Sequence, residues 1–188
     1  PEATKSFQEA LASEPRIWVR REILASLARC ALRQGDRATA GTRFLMILES
    51  DRTTRHFGVI PLVWAAENVS GSAKSQARAW LTHELDTARL LGASLLLEDN
   101  QLGESAQQEL AALQRSNDER VRQLAQAQSW RLKLRNLDVS DLELQRWDDR
   151  VQQMPTSLRA GPSYLLGRGW TMRREHDRAA TALLWLPL

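Results

Sequence analysis

Residues suited to chemistry are few here and widely spread. The three histidines, His56, His83 and His176, lie far apart, and none has a second histidine three or four residues away. Cys30 is the single cysteine, so no internal disulfide can form. A structural zinc site needs about four N or S ligands at short spacings, which this set does not supply. Gly167-Arg168-Gly169 lacks the preceding strand that a phosphate-cradling loop requires. No Gly-x-Ser-x-Gly elbow occurs. The densest acidic group is Asp138, Asp141, Glu143, Asp148 and Asp149. Paired carboxylates do acid–base work when a pocket drives their pKa values apart. A simpler assignment fits the same residues. Asp138 or Ser140 caps a helix, Asp141 and Glu143 suit its positive first turn, and Asp148-Asp149 is a solvated face. With no catalytic, metal or cofactor constellation, the expectation is a chain that is not an enzyme and needs no cofactor.

Charge points to a second kind of chemistry. Basic residues gather at Arg115, Arg120, Arg122, Arg131, Lys133 and Arg135, and such a ridge can follow a phosphate backbone. A nucleic-acid-binding surface built on Arg-rich helices is therefore the alternative function. Two features argue against it. The whole chain carries 26 basic and 23 acidic side chains, a net charge of only +3, rather than a concentrated basic stripe. Asp118 and Glu119 also interrupt the ridge. The seven tryptophans, Trp18, Trp64, Trp80, Trp130, Trp147, Trp170 and Trp185, are mostly expected in packing, with Trp18 or Trp64 as a candidate exposed anchor.

The elements that must position these residues read as helices throughout. Ala, Leu, Gln, Glu and Arg dominate, and Gly and Pro are scarce at 9 and 6. A helix is predicted from Ile17 to Gln34, with Leu24, Leu27, Ala28, Ala31 and Leu32 on one face. Gly35 suits a left-handed C-cap and Asp36 the N-cap of the next helix, which carries Ala40, Phe44 and Ile47. Residues 60–66 read as a helix with Pro61 in its first turn, and Ser70-Gly71-Ser72 as a break. No run of 18 or more apolar residues occurs.

Spacing then carries a resemblance. Ala3, Phe7, Ala10 and Pro15 stand at the small–aromatic–small–proline spacing that ends a tetratricopeptide repeat. The set Leu24, Leu27, Ala28, Ala31, Gly35, Ala40, Phe44, Ile47 resembles one complete unit of that family. Ala31 replaces its bulky aromatic, and its terminal proline is missing near Arg52. Trp147, Arg150 and Pro155 repeat the opening spacing, with Arg150 in a small-residue position. Leu166-Gly167, Trp170, Ala179 and Leu183 resemble a further unit, with Pro162 in the first turn of its leading helix. Gly169 within that helix points to a close helix contact. In the middle, a 33-residue shift aligns Ser72-Ala73 with Ser105-Ala106, Ala79 with Ala112, Arg89 with Arg122 and Leu91 with Leu124. These segments, 72–98 and 105–131, resemble HEAT-like repeats. The repeated Arg89 and Arg122 are expected to bond across adjacent units.

The resemblance implies an all-α, right-handed α-solenoid of antiparallel helix pairs, about nine to eleven helices in all. Residues 1–54 would be tetratricopeptide-like, 55–135 HEAT-like and 136–188 tetratricopeptide-like. The chain opens partway through a unit, which predicts an array excised from a longer protein that could carry an upstream signal or anchor. Apolar surface at the cut ends predicts dimerisation through an end. The implied function is a non-catalytic scaffold for a protein or an extended peptide, with no membrane contact within this segment. With the leading helices lining the groove, Arg29, Arg33, Tyr164 and Arg168 are the candidate binding residues, able to meet a carboxylate or phosphate.

Overall fold

The computed structural model describes residues 2–50 and 71–184. The helix expected at 60–66, with His56, Trp64, Trp185 and the side chain of Phe44, lies outside the described residues. Among those described, all regular structure is helical, as composition predicts. The order is α1 (Glu2–Ala12), α2 (Ile17–Arg33), α3 (Arg37–Ser50), α4 (Gly71–Trp80) and α5 (Asp86–Leu96). Next come α6 (Gly103–Leu113), α7 (Glu119–Arg135) and α8 (Asp141–Gln153). A 3-10 turn at Thr156–Leu158 leads into α9 (Ala160–Met172) and α10 (His176–Leu183).

Local chemistry explains where these helices stop. Gly35 has φ +76°, and the Asp36 amide donates back to the Ala31 carbonyl at 2.9 Å, which closes the last turn of α2. Asp36 then caps α3, its Oδ1 accepting from the Thr39 amide at 3.1 Å. The same reversal ends α7 and α9 without glycine. Leu137 has φ +56° with Asp138 bonded to the Lys133 carbonyl, and Arg174 has φ +62° with Glu175 bonded to the Trp170 carbonyl. Ser140, rather than Asp138, caps α8 in a reciprocal box with Glu143.

Short loops make consecutive helices antiparallel neighbours. Thus α2 packs on α3, α4 on α5, α6 on α7 and α9 on α10. Contacts also skip one helix: α3 meets α5, α5 meets α7 and α7 meets α9. These four form a row along which two apolar clusters are laid. One runs from Leu24 and Ala28 through Leu91 and Leu110 to Leu124. The other gathers Trp130, Leu144, Trp147, Leu165 and Trp170, and α7 contributes to both. The rings of Trp130 and Trp147 stack at 4.6 Å between centroids and bind α8 to α7. α1, resting on α2, buries no residue fully.

The 33-residue shift carries Trp80 onto Leu113, Ala88 onto Val121 and Leu91 onto Leu124, and all six are buried. Arg89 and Arg122 are each the fourth residue of their helix. Their uses differ. Arg89 bonds Asp86 and reaches Glu109 on α6 at 3.3 Å, across to the adjacent pair. Arg122 does not bond across. It donates to the Ser116 carbonyl at 2.7 Å, because that carbonyl of its own loop lies within reach.

Candidate binding groove

A groove of about 800 Å³ runs along α9 as floor, with α8 and α10 as walls. Two glycines on α9 let the neighbouring helices approach it closely. A Cβ at Gly169 would lie 2.4 Å from Leu144 Cδ2 on α8, and one at Gly167 would lie 2.7 Å from Leu183 on α10. Both neighbours therefore close tightly on α9, two residues apart in sequence and on different sides of it. The strip of α9 between them stays open. Ser163, Leu166 and Trp170 recur along that strip at helical spacing. The sequence signalled Gly169 as a close contact, and the structure supplies its partner.

Floor and walls differ in chemistry. Leu166 and Trp170 meet Val151 of α8 and Ala182 of α10 in an apolar middle. Ser163 is 1% exposed, and its Oγ finds no hydrogen-bond partner among the described residues. A buried hydroxyl without a partner costs about 1–3 kcal/mol, so this atom favours a ligand group that can bond it. Gln145 and Gln152 on α8 and Thr181 on α10 add amide and hydroxyl groups at the rim. Two cations are held by their surroundings. The Arg178 guanidinium sits 4.7 Å over the Trp170 ring. Arg159 donates to the carbonyls of Met154 and Gln152 at 2.8 and 2.7 Å. The carboxylates Asp148 and Asp177 enter no ion pair among the described residues.

The four residues expected from sequence fall into two separate pairs. Arg29 and Arg33 are exposed on α2, whose other face buries Leu24, Leu27, Ala28 and Ala31 as expected. Arg29 donates to Ser26 Oγ at 3.1 Å. Tyr164 and Arg168 stand one turn apart on α9, with the Arg168 guanidinium 6.0 Å over the Tyr164 ring. α2 packs on α1 and α3, whereas α9 packs on α7, α8 and α10. No interaction among the described residues joins the two pairs. Neither pair lines the large groove. Sequence reasoning missed Ser163, Gln145, Gln152 and Thr181, whose only signal was their spacing on amphipathic helices.

The residues of the basic ridge differ in exposure and in their partners. Arg131 is 4% exposed and lies in a joint between α5 and α7. It donates to Glu98 Oε1 at 2.7 and 3.1 Å, to the Ser94 carbonyl at 2.6 Å and to Gln128 at 3.2 Å. Burial pulls its pKa down, and the Glu98 carboxylate acts in the opposite sense. Arg120 is tied to Asp118 at 2.7 Å, and Lys133 to Glu143. Arg115 and Arg135 remain exposed.

Two members of the acidic cluster are structural in their contacts. Glu143 completes the cap of α8, and Lys133 holds its carboxyl below the usual range. Asp141 accepts from Arg173 at 2.6 Å. His83 Nδ1 accepts from the Leu85 amide at 3.1 Å, and His176 is exposed at the start of α10. Cys30 is a half-buried free thiol on α2. Trp18 is 61% exposed beside an equally open Ile17, whereas Trp147 and Trp170 are buried. No helix among the described residues is long and apolar enough to cross a membrane. No protein-family model, curated protein or solved structure matches the chain.

Proposed function

We propose that this chain is a stretch of right-handed α-solenoid that acts as a non-catalytic scaffold for a protein or extended-peptide segment. Tetratricopeptide-like pairs over 1–54 and 136–188 would flank a HEAT-like middle over 55–135. The chained contacts of α3, α5, α7 and α9 support the stacked arrangement, since each pair covers its neighbour's apolar face. The observation that carries the binding role is the open groove on α9. It is long, apolar at its centre and edged with side-chain amides and hydroxyls, a combination that suits peptide backbone. Arg29, Arg33, Tyr164 and Arg168 are secondary contact points on the same array. The nucleic-acid alternative draws less support, because Arg120, Arg122, Arg131 and Lys133 are committed to internal partners.

Panning random displayed peptides against the chain tests this reading, with Thr181→Trp as counter-target. Thr181 is exposed on the groove wall, and an indole there fills the space. Enriched peptides are expected to bind the variant about tenfold more weakly. Absence of enrichment, or equal binding to the variant, refutes the groove. Labelled duplex DNA is expected to show no binding near physiological salt. Replacing Arg29 and Arg33 together by Ala is expected to weaken a protein partner without lowering the melting temperature. A fall in melting temperature would assign them to the fold instead.

A further inference from the structure

The groove on α9 also carries information about its ligand. Gln145 and Gln152 are seven residues apart on α8, hence about 10.5 Å along the helix at 1.5 Å per residue. An extended chain rises about 3.3 Å per residue, so the two amides bracket roughly three residues of peptide. Between them lies the apolar middle of Val151, Leu166 and Ala182, with room for one inserted side chain. Ser163 belongs to the floor, its Oγ buried and without a hydrogen-bond partner among the described residues.

Charge then separates the candidate ligands. Of the four ionised groups lining the groove, the two cations are engaged with the protein itself. Arg178 lies on the Trp170 ring, and Arg159 donates to two backbone carbonyls. Asp148 on α8 and Asp177 on α10 form no ion pair among the described residues, and both line the same space. A guanidinium or ammonium entering this space has these two carboxylates to pair with. We propose that this groove takes an extended peptide segment with a lysine or arginine beside an apolar residue, the cation paired with Asp148 and Asp177. It rests on the peptide-scaffold function proposed above and specifies the partner's chemistry.

Fluorescence anisotropy with three labelled pentapeptides tests it, each with a central leucine flanked by lysine, glutamine or glutamate. The lysine peptide is expected to bind the chain about fivefold more tightly than the glutamine peptide, and the glutamate peptide least. The double variant Asp148→Asn, Asp177→Asn should abolish the lysine preference, leave the glutamine peptide unaffected and keep the native melting temperature. Raising salt should narrow the lysine advantage, since these carboxylates face solvent. A glutamate peptide that binds best, and loses binding on Thr181→Trp, overturns the cationic preference while the groove reading stands. A lysine preference that persists in the double variant also overturns it. If none of the peptides binds and panning against Thr181→Trp also fails, both the preference and the groove reading fall.

Discussion

Replacing Gly92 by Ala should destabilise the chain by about 2 kcal/mol, although alanine is the better helix former. Gly92 lies in α5 where the helix crosses α4. An added Cβ would stand 2.6 Å from the Ala77 carbonyl oxygen, 3.0 Å from Trp80 Cβ and 3.1 Å from the Leu81 amide nitrogen. Ordinary contact begins near 3.4 Å, so the shortfall against the carbonyl is 3.4 − 2.6 = 0.8 Å. Two of the three obstructing atoms are backbone, and no rotamer change moves them. The helices must part by much of that distance, loosening Ala77, Ala88 and Leu91, which are now buried. Overpacking of this kind costs about 1–3 kcal/mol, and a rigid obstacle belongs at or above the top of that range. Gaining alanine in a helix returns about 1 kcal/mol. The net of about 2 kcal/mol corresponds to a fall of roughly 4–8 °C in melting temperature for a chain of this size. Thermal unfolding followed by far-UV circular dichroism measures it. Gly167→Ala is the control, because the atoms in its way are the tip of the Leu183 side chain, which is partly exposed and can swing aside. Equal losses at the two glycines, or a stabilised Gly92→Ala, would refute the distinction between backbone and side-chain obstacles.

Leu137→Gly should raise stability by about 1 kcal/mol, because Leu137 is 76% exposed and holds φ +56°, a conformation that costs an L side chain about 1–2 kcal/mol. Part of that gain is offset by the larger unfolded-state entropy of glycine, and urea unfolding checks the sign. Stability should also fall in acid. Asp86 is held below its ordinary 3.8 first by the Ser116 hydroxyl and then by Arg89, and Asp118 is held down by Arg120. A depressed carboxyl contributes stability that is present above its unfolded pKa and lost as pH falls below that value, so the loss should begin near pH 4. Ser116→Ala should flatten that acid limb, and an unchanged limb would remove Asp86 as its source. Finally, Arg131→Met and Glu98→Gln, measured singly and together, should be strongly non-additive, with Arg131→Met alone costing about 2–4 kcal/mol.

Helical identity and the local caps were legible because they depend on near neighbours. Gly35 and Asp36 act as their types predict, and Leu24, Leu27, Ala28 and Ala31 bury one face of α2. The ends of α7 and α9 were harder, since Leu137 and Arg174 adopt a glycine-like conformation that their side chains do not announce. The internal shift was visible at equal residues and obscure at compensating ones. Ala77 faces Gly92 where α4 and α5 approach closely, while the shifted positions hold Leu110 and Ala125, both buried. Volume added on one helix goes with volume on the other, and a comparison of single positions sees only two mismatches. The groove was not legible. Its floor depends on two glycines meeting different helices, and on Ser163 lacking a partner, which are properties of three elements together. The burial of Arg131 was hidden for the same reason, since Arg131 reads as surface until Glu98 arrives from 33 residues away.

That separation of 33 residues equals the internal shift in sequence, although Glu98 stands in the turn after α5 and Arg131 lies within α7. Along the row, α5 and α7 are joined by residues of opposite charge. A buried guanidinium with one carboxylate in reach has few alternative placements, so the bond fixes the register of α5 against α7 as well as holding them. The next helix of the row cannot extend the series in the same way. Arg168 of α9 adds a second cation near Arg131, and its charge disfavours the charged form of Arg131. With Glu98 already engaged, Arg168 is better placed outside the joint, where water screens it and the Tyr164 ring lies beneath. The physics that buries Arg131 therefore keeps Arg168 at the surface.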